Sequence, residues 1–287
     1  MKEATLTNPT PHFDQPDKTH FTIKNMGSND MSRHIYPIRH AVVAALDFTA
    51  SVIFPQPCCI CEQWRRDCET GLVCRSCWSE VLPLSDPACT VCGLPLPRPS
   101  TSEAPVRPTC FRCQVRLPVY RSARAYGLFE GILKRVILLY KYAGHGYVGL
   151  KLADKMASSP VTNVILRNAD IIIPIPLSKK RKRERGYDQA SLIAARLAVR
   201  SHLALSLRTL IRCKHTAPQA GLSFRMRQDN VRGAFAIRRP NRVKDRIIVL
   251  VDDVLTTGAT AEECARTLRN AGARDVRVLT AARTPLR

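Results

Sequence analysis

Two carboxylates stand side by side at the end of an apolar run. Arg246–Val251 (RIIVLV) leads into Asp252, Asp253, Val254 and Leu255, and then into Thr256, Thr257, Gly258, Ala259 and Thr260. A short, continuous apolar run reads as a central parallel strand buried on both faces. Ligands of open α/β sheets gather outside the carboxyl ends of such strands. The residues that follow open a helix, so their unpaired N–H groups and hydroxyls form a nest for one phosphate, helped by the helix dipole. Gly258 lets the backbone come close to that phosphate. The two acids are placed to accept hydrogen bonds from vicinal hydroxyls or to position a divalent metal. A sugar phosphate satisfies both halves of the arrangement. The blander reading is a capped helix with solvated aspartates, and it gives no reason for acids, threonines and glycine to meet in one turn.

A second chemistry is carried by sulfur. Four Cys-x-x-Cys pairs, Cys58/Cys61, Cys74/Cys77, Cys89/Cys92 and Cys110/Cys113, are separated by 12, 11 and 17 residues. A thiolate pair two residues apart in a tight turn holds Zn²⁺ from one side, and a second pair completes the tetrahedron. Four pairs make two four-cysteine zinc sites of structural type. The simplest grouping is sequential; spacing does not distinguish it from an interleaved one. Disulfides would need an oxidising compartment that nothing else in the chain supports. Cys59 and Cys68 fall outside the pairs, with Cys59 a rival to Cys58, while Cys213 and Cys264 read as isolated small buried residues.

A third feature is electrostatic. Lys179–Arg185 (KKRKRER) holds six basic residues in seven and is followed by Gly186. Such a run is by default a solvated face or a nonspecific nucleic-acid patch. Here it follows the strand-like run Ile171–Ile175, which puts it at a strand end as well.

These groups need a frame. The chain has 287 residues, is 45% apolar and 24% charged, and can bury a sizeable core. From Tyr126 onward the apolar residues Leu128, Ile132, Val136 and Leu139 recur at helical spacing. Ala190–Val199 and Ala261–Ala271 read as helices, and Val276–Ala281 as a last strand. The alternation of strands and helices argues for a parallel sheet covered on both faces. Charge and cysteine divide the chain near 114–120. Residues 1–116 carry 12 basic and 11 acidic residues, and residues 117–287 carry 33 and 12. The ribbon region is therefore a poor phosphate binder and the remainder a strong one. Three modules follow: a disordered tail over 1–40, a helix plus double zinc ribbon over 41–116, and the α/β domain over 117–287. The apolar segment 41–54 carries Asp47 mid-run and lacks a small-residue cleavage site, so it reads as a packing helix rather than a secretory signal. No apolar run reaches the ~20 residues of a membrane helix, so no membrane span is expected.

The stretch IIVLVDDVLTTGAT over 247–260 is similar to the phosphoribosyl pyrophosphate signature of type I phosphoribosyltransferases. With the four cysteine pairs in front of it, the chain from about Val42 onward resembles the ComF/GntX family. KYAGH at 141–145, IPIPLSKKRKRERGYDQA at 173–190 and QAGLSFRMRQDNVRGAF at 219–235 are also family-like. The resemblance implies an open parallel sheet of the type I phosphoribosyltransferase class behind a small Cys-rich double zinc ribbon. It implies that Asp252 and Asp253 are the catalytic acids on the ribose, and that Thr256, Thr257, Gly258, Ala259 and Thr260 hold the 5′-phosphate. Lys179, Arg181, Arg183, Arg185 and Gly186 would form the loop that grips pyrophosphate. The segment 219–235, with Arg225 and Arg227, would be the flexible loop that closes over the site. Cofactors are then two structural Zn²⁺ ions, and Mg²⁺ with phosphoribosyl pyrophosphate. No base-recognition motif marks the acceptor. ComF-like proteins are associated with natural competence and DNA uptake, so the resemblance also implies a second, non-catalytic reading. In it the chain is a cytoplasmic accessory protein that binds single-stranded DNA and works with the competence machinery. The acids and threonines favour the enzyme; the positive charge serves either reading.

Overall fold

The computed structural model describes residues 57–64, 67–68, 72–84, 87–97, 108–142, 145–214 and 224–285. The tail expected over 1–40, the helix expected over 41–54 and residues 219–223 lie outside these, as do the side chains of Lys179 and Arg225.

Two short helices, α1 (Arg75–Ser79) and α2 (Phe111–Val115), belong to the cysteine-rich part. The α/β part then runs β1 (Ser122–Leu128), α3 (Gly131–Tyr142), α4 (Gly146–Ala157), α5 (Pro160–Leu166), β2 (Ile171–Pro174), α6 (Lys179–Arg185), α7 (Gln189–Ser201) and β3 (Ala204–Leu205). It continues through β4 (Leu210–Arg212), α8 (Phe224–Val231), β5 (Phe235–Ile237), β6 (Ile247–Leu255), α9 (Ala259–Asn270) and β7 (Asp275–Arg283). Five strands form one sheet in the order β1-β7-β6-β2-β3, and every pairing is parallel. β4 and β5 form a separate antiparallel hairpin.

The period-two geometry of a strand explains how β6 serves both faces. Val249 and Val251 enter a core shared with Ile137 and Tyr140 of α3, Leu152 of α4 and Ile193 and Leu197 of α7. Ile248 and Leu250 face the other way, onto Cys264, Ala265 and Leu268 of α9 and Phe235 of the hairpin. The doubly covered parallel sheet expected from the sequence is present. β6 is longer than the apolar run that announced it: it continues to Leu255, so Asp252 and Asp253 are strand residues at its carboxyl end.

The cysteine-rich part packs on this sheet. Cys58, Cys74, Cys77, Trp78 and Val81 join the first core. The second cysteine group closes against β1, where Ala123 N donates to Val91 O at 2.7 Å. Gly93 sits at φ 67°, and a Cβ there would meet Ala123 O at 2.6 Å, so only glycine permits this approach.

Four expectations are corrected. The helical spacing read from Leu128 spans a break: Ser122–Leu128 is an edge strand paired with β7, and the helix begins at Gly131. The basic run is not a loop but the helix α6. Ser178 caps it by accepting from Arg181 N, Gly186 ends it in the left-handed region, and Lys180 and Glu184 pair at 3.9 Å across one turn. Within 219–235, residues Phe224–Val231 form the helix α8, against α9, where Gln228 Nε2 donates to Glu262 Oε2 at 3.4 Å. Cys264 is buried as expected, whereas Cys213 is exposed.

Candidate functional site

The first elements to place are the sulfurs. Four sulfurs about 2.3 Å from one tetrahedral ion lie about 3.8 Å from one another. Cys58 and Cys77 Sγ are 3.9 Å apart, Cys61 and Cys74 3.8 Å, and Cys92 and Cys110 3.6 Å. Cys58, Cys61, Cys74 and Cys77 form one cluster, and Cys89, Cys92, Cys110 and Cys113 the other. The grouping is sequential. Backbone N–H groups of Ile60 and Cys74 donate to Cys58 Sγ at 3.4 and 3.3 Å, and Cys92 N donates to Cys89 Sγ at 3.5 Å. Both donor sets fit a closed, structural Zn²⁺ site. Cys59, exposed, and Cys68 stand outside them.

The acid pair ends β6. Asp252 Oδ1 accepts from Asp253 N at 2.8 Å. Burial, and then the neighbouring Asp253 carboxylate, push Asp252 up to about 8. Asp253 is bracketed by cations. Lys141 Nζ, from the last turn of α3, lies 2.9 Å from its Oδ2, and Arg185 Nη1 lies 4.0 Å from the same oxygen. Arg185 also donates to Gln189 Oε1 at 3.0 Å and stacks over Tyr142, 5.4 Å from the ring centroid. Tyr140 Oη donates to Gln189 O at 2.8 Å, and Tyr187 Oη donates to Tyr140 O. α3 and the start of α7 are thereby tied together beside the acids.

The threonine turn follows. Thr256, Thr257 and Gly258 bridge β6 to α9, with Gly258 at φ 84° as the N-cap residue. Gly258 and Ala259 are buried, while Thr256, Thr257 and Thr260 are half-buried. Ala259 N donates to Thr257 Oγ1 at 3.4 Å. The ribbon grips this turn from outside: Arg112 Nη2 donates to Thr257 O at 3.5 Å, and Arg116 Nη2 to Glu262 Oε1 at 2.9 Å.

Helix geometry sorts the basic run. Arg181 and Arg185, four residues apart, share one face and are half-buried; Lys182 and Arg183 are exposed. The structure thus brings Arg185 to the acid pair and leaves Arg183 in solvent, with Gly186 exposed at the helix end. A further arginine enters from the hairpin. Arg212 stacks on Phe235 at 5.4 Å, and burial, then the nearby Arg181, lower its pKa, while Asp252 opposes that shift. Arg227 is half-buried on α8, with Nε lacking a hydrogen-bond partner among the described residues. The arrangement offers acids for hydroxyls, a helix N-terminus for a phosphate, and three or more cations for a second, more highly charged group.

Lys141, Arg212, Arg112 and Arg116 were not singled out from the sequence. Lys141 lay in plain view within the family-like KYAGH. The others carry no local signal, because only the packing of remote elements brings them to the strand end.

A double zinc ribbon domain model matches residues 49–114, and a phosphoribosyl transferase domain model matches residues 183–286. The chain is 30% identical over 199 residues to the DNA utilization protein YhgH of Salmonella typhimurium, covering 68% of this chain and 84% of that one. It is 37% identical over 114 residues to competence protein F of Haemophilus influenzae, or 39% of this chain and 50% of that one. Competence protein ComFC of Bacillus subtilis is 28% identical over 203 residues, covering 70% and 79%.

Proposed function

The chain belongs to the ComF family, a double zinc ribbon joined to a phosphoribosyltransferase domain, and from that premise we propose that it binds the Mg²⁺ complex of phosphoribosyl pyrophosphate and transfers the phosphoribosyl group to an acceptor. One observation carries this reading: Asp252 and Asp253 end β6 directly before the glycine-led N-terminus of α9, and Lys141 and Arg185 converge on the same strand end.

In this reading Asp252 and Asp253 accept hydrogen bonds from the two ribose hydroxyls. Thr256, Thr257, Thr260 and the N–H groups that open α9 hold the 5′-phosphate. Arg181 and Arg185 of α6, with Arg212 of the hairpin and Lys141 of α3, neutralise the pyrophosphate; guanidinium forks suit its oxygens. The acceptor's nucleophile bonds to the anomeric carbon as the bond to the pyrophosphate oxygen breaks, and that oxygen takes the electron pair. Positive charge develops on the ribose, so the residues act by positioning it and by stabilising the departing anion. Arg225 and Arg227 are carried by the helix α8 rather than by a flexible loop. The zinc ribbon is the structural support of the phosphate turn. Zinc-bound thiolates persist in a reducing compartment, which supports a cytoplasmic location.

The test is calorimetry on the zinc-loaded full chain with phosphoribosyl pyrophosphate, with and without Mg²⁺. Binding that needs Mg²⁺ and disappears in Asp252→Asn/Asp253→Asn supports the pocket. No binding by the parent chain at millimolar ligand removes it.

The outer face of α6 supports a second reading. Lys180, Lys182 and Arg183 are exposed there, and residues 117–287 carry 33 basic against 12 acidic residues. In that reading the chain is an accessory protein of DNA uptake, its partners single-stranded DNA and competence proteins. The double aspartate variant separates the two: it abolishes sugar-phosphate turnover but leaves DNA binding intact or stronger. Loss of DNA binding in that variant, with no turnover by the parent, favours the accessory role.

A further inference from the structure

Arg283, the last residue of β7, is 3% exposed. A guanidinium so deeply buried needs a counter-charge, yet no carboxylate among the described residues forms an ion pair with it. The nearby Glu262 is already engaged by Arg116 at 2.9 Å and Arg266 at 3.5 Å. Arg283 points instead at sulfur: its Nη2 donates to Cys92 Sγ at 3.5 Å. Its Nε and Nη1 are buried without a hydrogen-bond partner among the described residues. All of this lines a cavity of about 310 Å³ beside Cys92, Cys110, Cys113, Tyr120 and Thr257.

We propose that Arg283 is the counter-charge of the second four-cysteine zinc centre. Four thiolates outweigh one divalent ion, so the loaded centre is anionic. A charged N–H donor on Cys92 draws density from that sulfur, makes it a less reactive ligand and neutralises the arginine in turn. The donor comes from the sheet rather than the ribbon, so the metal centre and the end of β7 form one electrostatic unit. The first centre differs. Its sulfurs receive backbone N–H groups and the Ser76 hydroxyl, 3.2 Å from Cys74 Sγ. It therefore serves as an internal reference. Arg124 is a second reference: its Nη1 holds the same ribbon half through carbonyls, at 2.9 Å to Thr90 O and 3.3 Å to Cys89 O.

The experiment uses the full chain loaded with Zn²⁺, and a Co²⁺-substituted sample, in Arg283→Met, Arg283→Lys and Arg124→Met. Zinc release to a chromogenic chelator and the sulfur-to-cobalt charge-transfer band are the readouts. Arg283→Met should release one of the two zinc ions about 10-fold faster or more, the usual scale for a lost outer partner, and should shift part of the band to longer wavelength. Arg283→Lys should shift it less, and Arg124→Met should leave it in place. Wild-type release and an unmoved band in Arg283→Met overturn the proposal, as does an equal shift in Arg124→Met. If Arg283→Met does not fold, Arg283→Lys against Arg283→Gln decides: zinc kept by the lysine variant and lost by the glutamine variant supports the proposal, and equal behaviour overturns it.

Discussion

Lys141 Nζ lies 2.9 Å from Asp253 Oδ2, while Asp252 beside it forms no ion pair among the described residues. Two adjacent acids thus stand in different fields. Lys141 also approaches the Phe129 ring, 5.9 Å from its centroid, so its ammonium is held rather than swinging freely. Removing it should cost the site one charge-assisted contact. For Lys141→Met we expect affinity for the Mg²⁺ complex of phosphoribosyl pyrophosphate to fall about 10- to 100-fold, read by calorimetry, with Arg185 left as the remaining cation at Asp253. Unchanged affinity would take Lys141 out of the binding site.

Asp252 should give the fold a pH dependence of its own. Its pKa rises from 3.8 in the free group to about 8 in the folded chain. The folded state therefore holds a proton that the unfolded state has lost between those values. Stability from this group is greatest below pH 4, declines as pH rises toward about 8, and is level above it. Asp252→Asn removes the decline. The carboxyl is partly exposed, so screening reduces the effect, and the variant should gain on the order of 1 kcal/mol over the parent at pH 8. Chemical denaturation at pH 5 and pH 8 measures it. A parent whose stability is flat across that range contradicts the expectation.

Much of this site was legible before the fold was known, and the reason is locality. The acid pair, the threonine turn and all eight ligating cysteines are contiguous or closely spaced in sequence, so residue type and spacing alone define their chemistry. Lys141 and Arg212 reach the strand end only through the packing of α3 and of the β4–β5 hairpin, which no local pattern encodes. β1 was hidden because Ser122–Leu128 (SARAYGL) buries small residues and carries an arginine. Its last leucine then stood at helical spacing from Ile132 across the turn at Gly131. The basic run looked like a loop because charge dominated its reading, although Ser178 and Gly186 were capping signals at both ends.

Gly258 tests the phosphate turn. Its φ of 84° is one that side chains rarely adopt, and a Cβ would also stand 3.4 Å from Tyr120 Oη. Gly258→Ala should therefore destabilise the fold by about 1–2 kcal/mol and displace the N–H groups that open α9. Phosphate and sugar-phosphate binding should weaken more than this loss of stability accounts for, as seen by comparing denaturation with calorimetry below the melting range. A variant that binds as the parent does would show that the turn is not the phosphate site.

The two faces of α6 separate the two functional readings within one helix. Arg185, with its side chain 11% exposed, lies 4.0 Å from Asp253 Oδ2, whereas Arg183 is exposed one turn face away. Arg185→Ala should lower phosphoribosyl pyrophosphate affinity about 10-fold or more, as expected for a buried charged donor. Arg183→Ala should leave that affinity within about 0.5 kcal/mol of the parent. Single-stranded DNA should report the reverse. Lys182→Ala/Arg183→Ala should reduce the slope of log affinity against log salt by about 1.4, two phosphate contacts at about 0.7 each, while Arg185→Ala changes it little. If both variants alter both ligands alike, α6 is one undivided basic patch, and the pyrophosphate role assigned to its inner face fails.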